Sequence, residues 1–544
     1  IFGQLLTGRF RSGRFVDEVV DVASKLTGHT VYIWERVIAT MLPTPDKFHY
    51  FFNLRDLTRV FQGVFQAPDE VIKAAVDLVG LWKHETTRVF SDRLIDYKDK
   101  NWLRDEVNKR MSTAFPEPAK KLEEDVFFCN FMEPDEEDEE GNVSFPKIYQ
   151  RVGDLPTLRT RVEEHLERYN EERKTGKMDL VFFDDALLHI MRICRVISQP
   201  QGNMLLVGVG GSGKQSLVRL ATGIQGGQTF QITLTKTYNI QNLYEDIKGL
   251  YLLAGVQNKK VTFLFTDSDV KFEEFLELFN NFLMSGEIPN LFPKDELDGA
   301  VADLMGLVKK ERPGMDPTHE NVYKWFIERV RANLHVCLCF SPVGDKLRSR
   351  ALKFPGLIAG CSIDWFLTWP LDALLAVANK YISDFKVDGT AEVKESLVAM
   401  MAHVHDHVKE STEEFFFRYR RHVYVTPKSF LSFLTGYREV YEDKHKKISM
   451  LATNINNGLS KLLKAEEDVA VMKVELQKKE VELVKSQKEC NELLKVITAS
   501  TTQAEKKKME VQIVKDDLSI VAAKINKEKE EAETHINNYD TSTV

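Results

Sequence analysis

The stretch Gly208-Val209-Gly210-Gly211-Ser212-Gly213-Lys214-Gln215-Ser216 holds the residues of this chain best suited to chemistry on an anion. Glycines let successive backbone N–H groups curl around a phosphate, and a lysine in the same turn bridges the terminal phosphates. From Gly208 to Lys214 the spacing is that of the P-loop, G-x-x-x-x-G-K-[ST]. Only the last position departs, because Gln215 stands where a hydroxyl would meet Mg2+. Gly208, Gly210, Gly211, Ser212, Gly213, Lys214, Gln215 and Ser216 are the candidate phosphate-binding residues. A second stretch, Val261 to Asp267, is an apolar run ending in a carboxylate, the Walker B pattern. Such a carboxylate faces the crevice where parallel sheets bind ligands, so Asp267 is expected to hold Mg2+ through water. Ser268 follows in place of the glutamate that would polarise an attacking water, and Asp269 should point away from the strand end. The expected cofactor is ATP or ADP with Mg2+, bound but hydrolysed very slowly or not at all.

A sheet and its helices must position these groups. Asn203 to Val207 is apolar and short enough for a strand buried on both faces, and Ser216 to Ala221 opens the helix after the loop. Leu334 to Phe340 reads as a third strand ending at Ser341-Pro342. Strands alternating with helical patterns predict an α/β fold with a P-loop parallel sheet over residues 122–370. Within it a helix is expected from Leu158 to Arg173, and Val181 and Phe182 are candidates to line an adenine pocket. Residues 371–436 read as a helical lid, with Thr426-Pro427-Lys428-Ser429 at a helix start. His403, His405 and His407 in that lid lack a third metal ligand and read as exposed histidines. Residues 1–121 are expected to be mostly helical, with helices over Phe15 to Leu26 and Tyr32 to Met41 and an amphipathic helix capped by Asn53. The acidic run Glu133 to Glu140 repels itself and reads as a solvated loop.

Residues 437–544 differ in character. Stepping by seven from Ile448 meets Ile455, Leu462, Val469, Leu476, Leu483, Cys490, Ile497, Ala504, Val511, Leu518 and Ile525, none of them polar. Such a heptad seam predicts one strand of a coiled coil, and a hundred residues of it would span on the order of 150 Å. The d positions are looser, with Gly458, Lys479, Ser486, Ser500, Lys507 and Glu528 among them.

At 544 residues, 43% hydrophobic and 29% charged, the chain can build several cores. A net charge of -8 argues against nucleic acid as a partner. Its 6 cysteines contain no C-x-x-C pair, so neither a zinc site nor a disulfide framework is expected. The most apolar window, Leu357 to Ala378, is broken by Asp364, Pro370 and Asp372, so no membrane partner is expected. Without an initiator Met, and with its last residues following a long helical pattern, the chain reads as an excised fragment.

A P-loop α/β domain, a helical lid and a long coil strand in succession resemble the dynein heavy chain motor. His49-Tyr50-Phe51-Phe52-Asn53-Leu54-Arg55-Asp56-Leu57 looks like the lid of its third AAA+ module. Asn203 to Ser216, Phe275 to Phe292, Phe354-Pro355 and Asp364-Trp365-Phe366 look like its fourth, and residues 437–544 resemble the ascending stalk strand. The GVGGSGKQS wording is closer to axonemal than to cytoplasmic dynein. The resemblance implies a regulatory fourth module in an ATP-driven microtubule motor of the cytoplasm and cytoskeleton, placed in the axoneme of a cilium or flagellum. It implies as partners the microtubule, reached through a stalk tip, the remaining AAA+ modules, a return stalk strand, and dynein intermediate and light chains. It also implies that Arg55 and Lys428 are the sensor II residues of the third and fourth modules and that Ser341 stands at the sensor I position. Gly360 stands where cytoplasmic relatives carry an arginine finger, leaving Arg348 and Arg350 as substitutes. The competing expectations are a non-motor P-loop nucleotide switch and a coiled-coil ATPase scaffold. An ABC-like ATPase would need a Leu-Ser-Gly-Gly signature, which the sequence lacks.

Overall fold

The computed structural model describes residues 1–122, 125–134, 136–137, 143–144, 146–173, 176–385 and 387–537. Part of the acidic run Glu133 to Glu140 lies outside the described residues. Residues 1–438 form one compact unit and residues 439–544 a second.

The first unit is built on five parallel strands, β1 (Met204–Gly208), β2 (Gln228–Phe230), β3 (Val261–Thr266), β4 (Leu334–Phe340) and β5 (Ser362–Phe366), in the order β2-β3-β4-β1-β5. Every residue of β1, β3 and β4 is buried, as expected of parallel strands covered by helices on both faces. Alternation along the strands feeds two cores. Val336, Leu338 and Phe340 join Phe263, Phe265 and Trp365 in one. Cys337 and Cys339 join Met204, Leu206 and Phe366 in the other. Strand order reverses at β1, whose neighbours are β4 and β5, and the P-loop leaves the C-terminal end of that strand.

Two of the five strands are not among the three that the sequence pattern marks. β2 is a three-residue edge strand, and β5 carries Asp364 in its middle, which a core strand tolerates only when the charge is paired. In residues 1–121 a single helix, Asp17–Thr40, replaces the two expected. Leu26, Thr30, Ile33 and Val37 are buried along one face, and the Trp82 indole donates to Thr30 Oγ1 at 2.8 Å, so packing overrides the break at Gly28. The amphipathic helix is Leu54–Val64, and Asn53 caps it: its Oδ1 accepts from the Arg55 N–H at 2.9 Å, while Asp56 accepts from the Asn53 N–H at 2.8 Å.

This lid joins the following sheet through buried charge. Glu85 accepts from Arg195 Nε at 2.9 Å and from the Tyr149 hydroxyl, and it fills the space where Gly63 would carry a Cβ. Asp364 accepts from Arg192 at 2.8 Å and lies 2.6 Å from His189 Nδ1. Desolvation opposes ionisation of Asp364, yet the bonds to His189 and to Arg192, which also pairs with Asp92 at 3.2 Å, hold its carboxyl well below the usual range.

Residues 371–438 supply helices Leu371–Ser383 and Ala391–Tyr419 and the start of the helix Pro427–Asn537. No proline or cap separates the expected lid boundary at 436 from the coil; one helix carries both. In the second unit Ile448, Ile455, Leu462, Val469 and Leu476 of the heptad seam are all more than half exposed. No helix among the described residues is long and apolar enough to cross a membrane.

Candidate nucleotide-binding site

The loop between β1 and the helix Lys214–Ile224 needs glycine at two positions in particular. Gly211 has φ 83°, and a Cβ there would lie 2.4 Å from the Cβ of Lys428. Gly213, at φ 86°, is the N-cap of the P-loop helix, leaving the first-turn N–H groups free to face an anion. Lys214 Nζ folds over the loop, donating to Gly208 O at 2.6 Å, Val209 O at 2.8 Å and Ser212 Oγ at 3.0 Å. Burial lowers its pKa, a pressure that a phosphate charge beside it would relieve.

A cavity of about 650 Å3 runs from this loop to an apolar end. Gly208, Gly210, Gly211, Ser212, Gly213, Lys214, Gln215 and Ser216 line it at one side. Leu180, Val181, Phe182, Phe183, Trp369 and Leu431 line it at the other. The apolar end is closed from the lid side, where Lys380 Nζ reaches Asp179 at 2.5 Å and Leu180 O at 3.1 Å. A cradle of backbone N–H groups beside an aromatic slot fits the phosphates and base of a nucleotide.

The comparisons with known proteins agree with this architecture. Residues 178–440 match the family model described as "P-loop containing dynein motor region D4", and residues 26–125 match the one described as "AAA+ lid domain". The chain is 47% identical over 542 residues to mouse "Dynein axonemal heavy chain 5", covering 98% of this chain and 12% of that protein. It is 46% identical over 553 residues to "Dynein gamma chain, flagellar outer arm" of Chlamydomonas reinhardtii, again with 98% and 12% covered. Mouse "Dynein axonemal heavy chain 8" is 45% identical over 523 residues, 95% of this chain and 11% of the relative. The chain belongs to the axonemal dynein heavy chains. It spans about an eighth of the length of these curated relatives. The cytoskeleton of the cilium or flagellum axoneme is the location that goes with this family.

The Walker B carboxylate of this dynein chain lines the cavity and has two partners in the chain: Asp267 Oδ1 accepts from Arg350 Nη1 at 2.7 Å and Oδ2 accepts from the backbone N–H of Ser341 at 2.5 Å. Arg350, expected as a substitute arginine finger, packs behind Asp267 and also donates to Glu273 at 2.9 and 3.1 Å. It is buried, so it is not available to a neighbouring module's nucleotide. Arg348 is exposed on the same helix, Lys346–Lys353. Asp269 is no base either. Its Oδ2 accepts from the Thr266 N–H and hydroxyl, each at 2.8 Å, bracing the turn after β3. Ser341 meets Asp267 through its backbone, and Ser341, Ser268 and Asp267 all line the cavity. The Lys428 side chain is exposed, while its backbone packs on Gly211. Among the described residues no group of three or more His, Cys, Asp or Glu is placed to hold a metal ion.

Arg55 lines a separate cavity of about 180 Å3 together with Arg59, Gln62, Arg331 and Gly360. Arg59 donates to the carbonyls of Cys361 and Ala359 on either side of Gly360, at 3.2 and 3.5 Å. Gly360 has no room for a side chain: a Cβ would stand 2.7 Å from Gly356 O and 2.8 Å from Leu283 O. Sequence reading missed Arg59 and Arg331. The signal for Arg59 was its position one helical turn after Arg55, whereas nothing near Arg331 in the sequence marks it.

Proposed function

We propose that this chain is the segment of an axonemal dynein heavy chain that carries the lid of the third AAA+ module (1–121), the α/β part of the fourth (122–370), the fourth lid (371–436) and one strand of the stalk (437–544). The fourth module holds ATP or ADP as a regulatory nucleotide and turns it over very slowly or not at all. The whole protein is an ATP-driven microtubule motor. Its partners are the microtubule, the remaining AAA+ modules, the return stalk strand, and intermediate and light chains, with no role for nucleic acid or membrane.

The observation that carries this reading is a complete phosphate cradle without a catalytic carboxylate. Lys214 and the loop glycines line the cavity, whereas Ser268 occupies the place of a general base and Asp269 is committed to Thr266. Loss of a general base typically removes a factor of about 10² to 10⁴ in rate, while binding through the cradle survives. Mg2+ held through water at Asp267 is part of the proposal: that carboxylate lines the same cavity, and one hydrogen bond on each of its oxygens leaves lone pairs for a metal-bound water.

The test measures nucleotide affinity and single-turnover hydrolysis on the whole 544-residue chain. Tight binding with negligible turnover, and binding abolished by Lys214→Ala, is the expected result. Turnover at the rate of an ordinary AAA+ site would overturn the regulatory reading.

A further inference from the structure

We infer that Arg331, together with Arg55, binds a phosphate group of a nucleoside polyphosphate in the small cavity between the helix Leu54–Val64 and the P-loop sheet. The source of that phosphate rests on the reading of residues 1–121 as a lid: it is the nucleotide of the third module, whose phosphate end enters here.

The cavity has the charge and the size of a phosphate site. Arg55 and Arg59 reach it from one helix and Arg331 from another, His319–Asn333, and no Asp or Glu lines it. Its volume of about 180 Å3 is below the ~300 Å3 at which pockets for whole small molecules begin, so it suits phosphate oxygens better than a base and sugar. Arg59 is already occupied, by Asp56 at 3.2 Å and by the carbonyls on either side of Gly360. The other two guanidinium groups are not. Among the described residues neither has a carboxylate partner: Arg55 Nη1 lies 3.7 Å from Met284 Sδ, and Arg331 Nη2 donates to Gln201 Oε1 at 2.8 Å. Like charges gathered in one cavity repel, and an anion between them turns that repulsion into attraction.

Arg331 is also held in position. Gln201 grips it a second time, its N–H donating to the Arg331 carbonyl at 2.7 Å, and does so at φ 61°. A residue with a side chain enters that left-handed region only when its surroundings impose it. The stem of Arg331 passes Gly286, where a Cβ would stand 2.5 Å from Arg331 Cδ. A guanidinium fixed in this way, with the rest of its planar fork uncommitted within the chain, is pre-organised for two parallel bonds to a phosphate. Position 360 lines the same cavity but has no room for a side chain, so Arg331 is the cation that the sheet domain supplies.

The experiment titrates inorganic pyrophosphate into the whole chain carrying Lys214→Ala, which removes the P-loop lysine, and reads affinity by calorimetry. A dissociation constant below about 1 mM is expected. Arg331→Gln should weaken it by about tenfold or more, and Arg331→Lys by less, because the charge stays while the fork is lost. Gly286→Ala, which pushes the Arg331 stem aside without removing its charge, should weaken binding as well. No binding, or binding unchanged in a folded Arg331→Gln, would overturn the inference. Should that variant not fold, Arg55→Gln, at an exposed position, takes its place with the same two outcomes. A second arm carries Arg331→Gln in the complete heavy chain, where a loss of ATP turnover is expected. Unchanged turnover beside Arg331-dependent pyrophosphate binding would leave the phosphate site standing and overturn the third module as its source.

Discussion

The indole N–H of Trp365 meets Nε2 of His49 across 3.0 Å, donating to it when that nitrogen is unprotonated, and links strand β5 to the segment that enters the helix Leu54–Val64; the same Nε2 lies 2.9 Å from the Arg93 carbonyl oxygen. The two rings lie 4.9 Å apart, and His49 is fully buried. An imidazolium could not accept the indole's bond and would donate to the Arg93 carbonyl instead, so acid breaks the link to Trp365. Burial pushes the His49 pKa down to about 4, and His165 and His335 are lowered to the same value by the same cause.

Stability is therefore expected to depend on pH in a defined window. A base whose pKa is depressed on folding binds fewer protons in the native state, so unfolding becomes easier as pH falls from about 6.5 to about 4, and stability is complete above that range. Denaturant melts of the chain at steps of pH should show this slope. His49→Phe, which removes the titrating ring, should flatten it; an unchanged slope would exonerate His49.

The Glu85–Arg195 pair is fully buried, so removing one partner is expected to cost far more than removing both. Glu85→Ala leaves a guanidinium without its carboxylate and is expected to destabilise by about 3 to 5 kcal/mol. The double change Glu85→Leu with Arg195→Met should recover most of that loss in a thermal or urea melt. Additive losses would show that the two do not act as a pair.

Restoring an arginine at position 360 is expected to harm the protein. The Cβ alone would meet two backbone carbonyls and Leu283, so Gly360→Arg should lower stability by about 1 to 3 kcal/mol through overpacking. A melting temperature equal to that of the unmodified chain would contradict the packing seen around Gly360.

Gly211→Ala should weaken nucleotide binding more than its size implies. The new methyl would demand both a left-handed backbone, costing about 1 to 2 kcal/mol, and displacement of Lys428. Fluorescent-nucleotide titration against Gly213→Ala, where the backbone is also left-handed but a Cβ meets nothing within 4 Å, separates the two effects. Equal losses at the two positions would refute the contact with Lys428.

Residues 439–544 alone are expected to associate in a concentration-dependent way, because Leu462, exposed at 71%, and its heptad partners have only water to face. Circular dichroism across a dilution series checks this. A sharp, dilution-independent melt would count against a seam that needs a partner strand.

Much of this arrangement was legible in the sequence because local chemistry dictates it. Glycines beside Lys214 predict the loop, Leu334 to Phe340 predicts its strand to the residue, and Asn53 with Asp56 predicts a helix start. What stayed hidden depends on partners distant in the chain. Asp364 disguises β5 until Arg192 and His189 are found hydrogen-bonded to it, 172 and 175 residues away. Nothing near Asp267 in the sequence marks Arg350, 83 residues on, as its partner. Trp369 and Leu431 reach the base end of the cavity from segments whose periodicity says only that they are helical or connecting.

The carboxylates of Glu85 and Asp92 also determine how this chain can be divided. In the proposed division residues 1–121 belong to one module and the P-loop sheet to the next, and a graft between two dyneins would naturally be cut there. Such a cut would transplant Glu85 without Arg195 and Asp92 without Arg192, so the hybrid inherits unmatched halves of two ion pairs. Paralogues can exchange this region cleanly only if the lid travels with the sheet behind it, which makes the heritable block one that straddles two repeats.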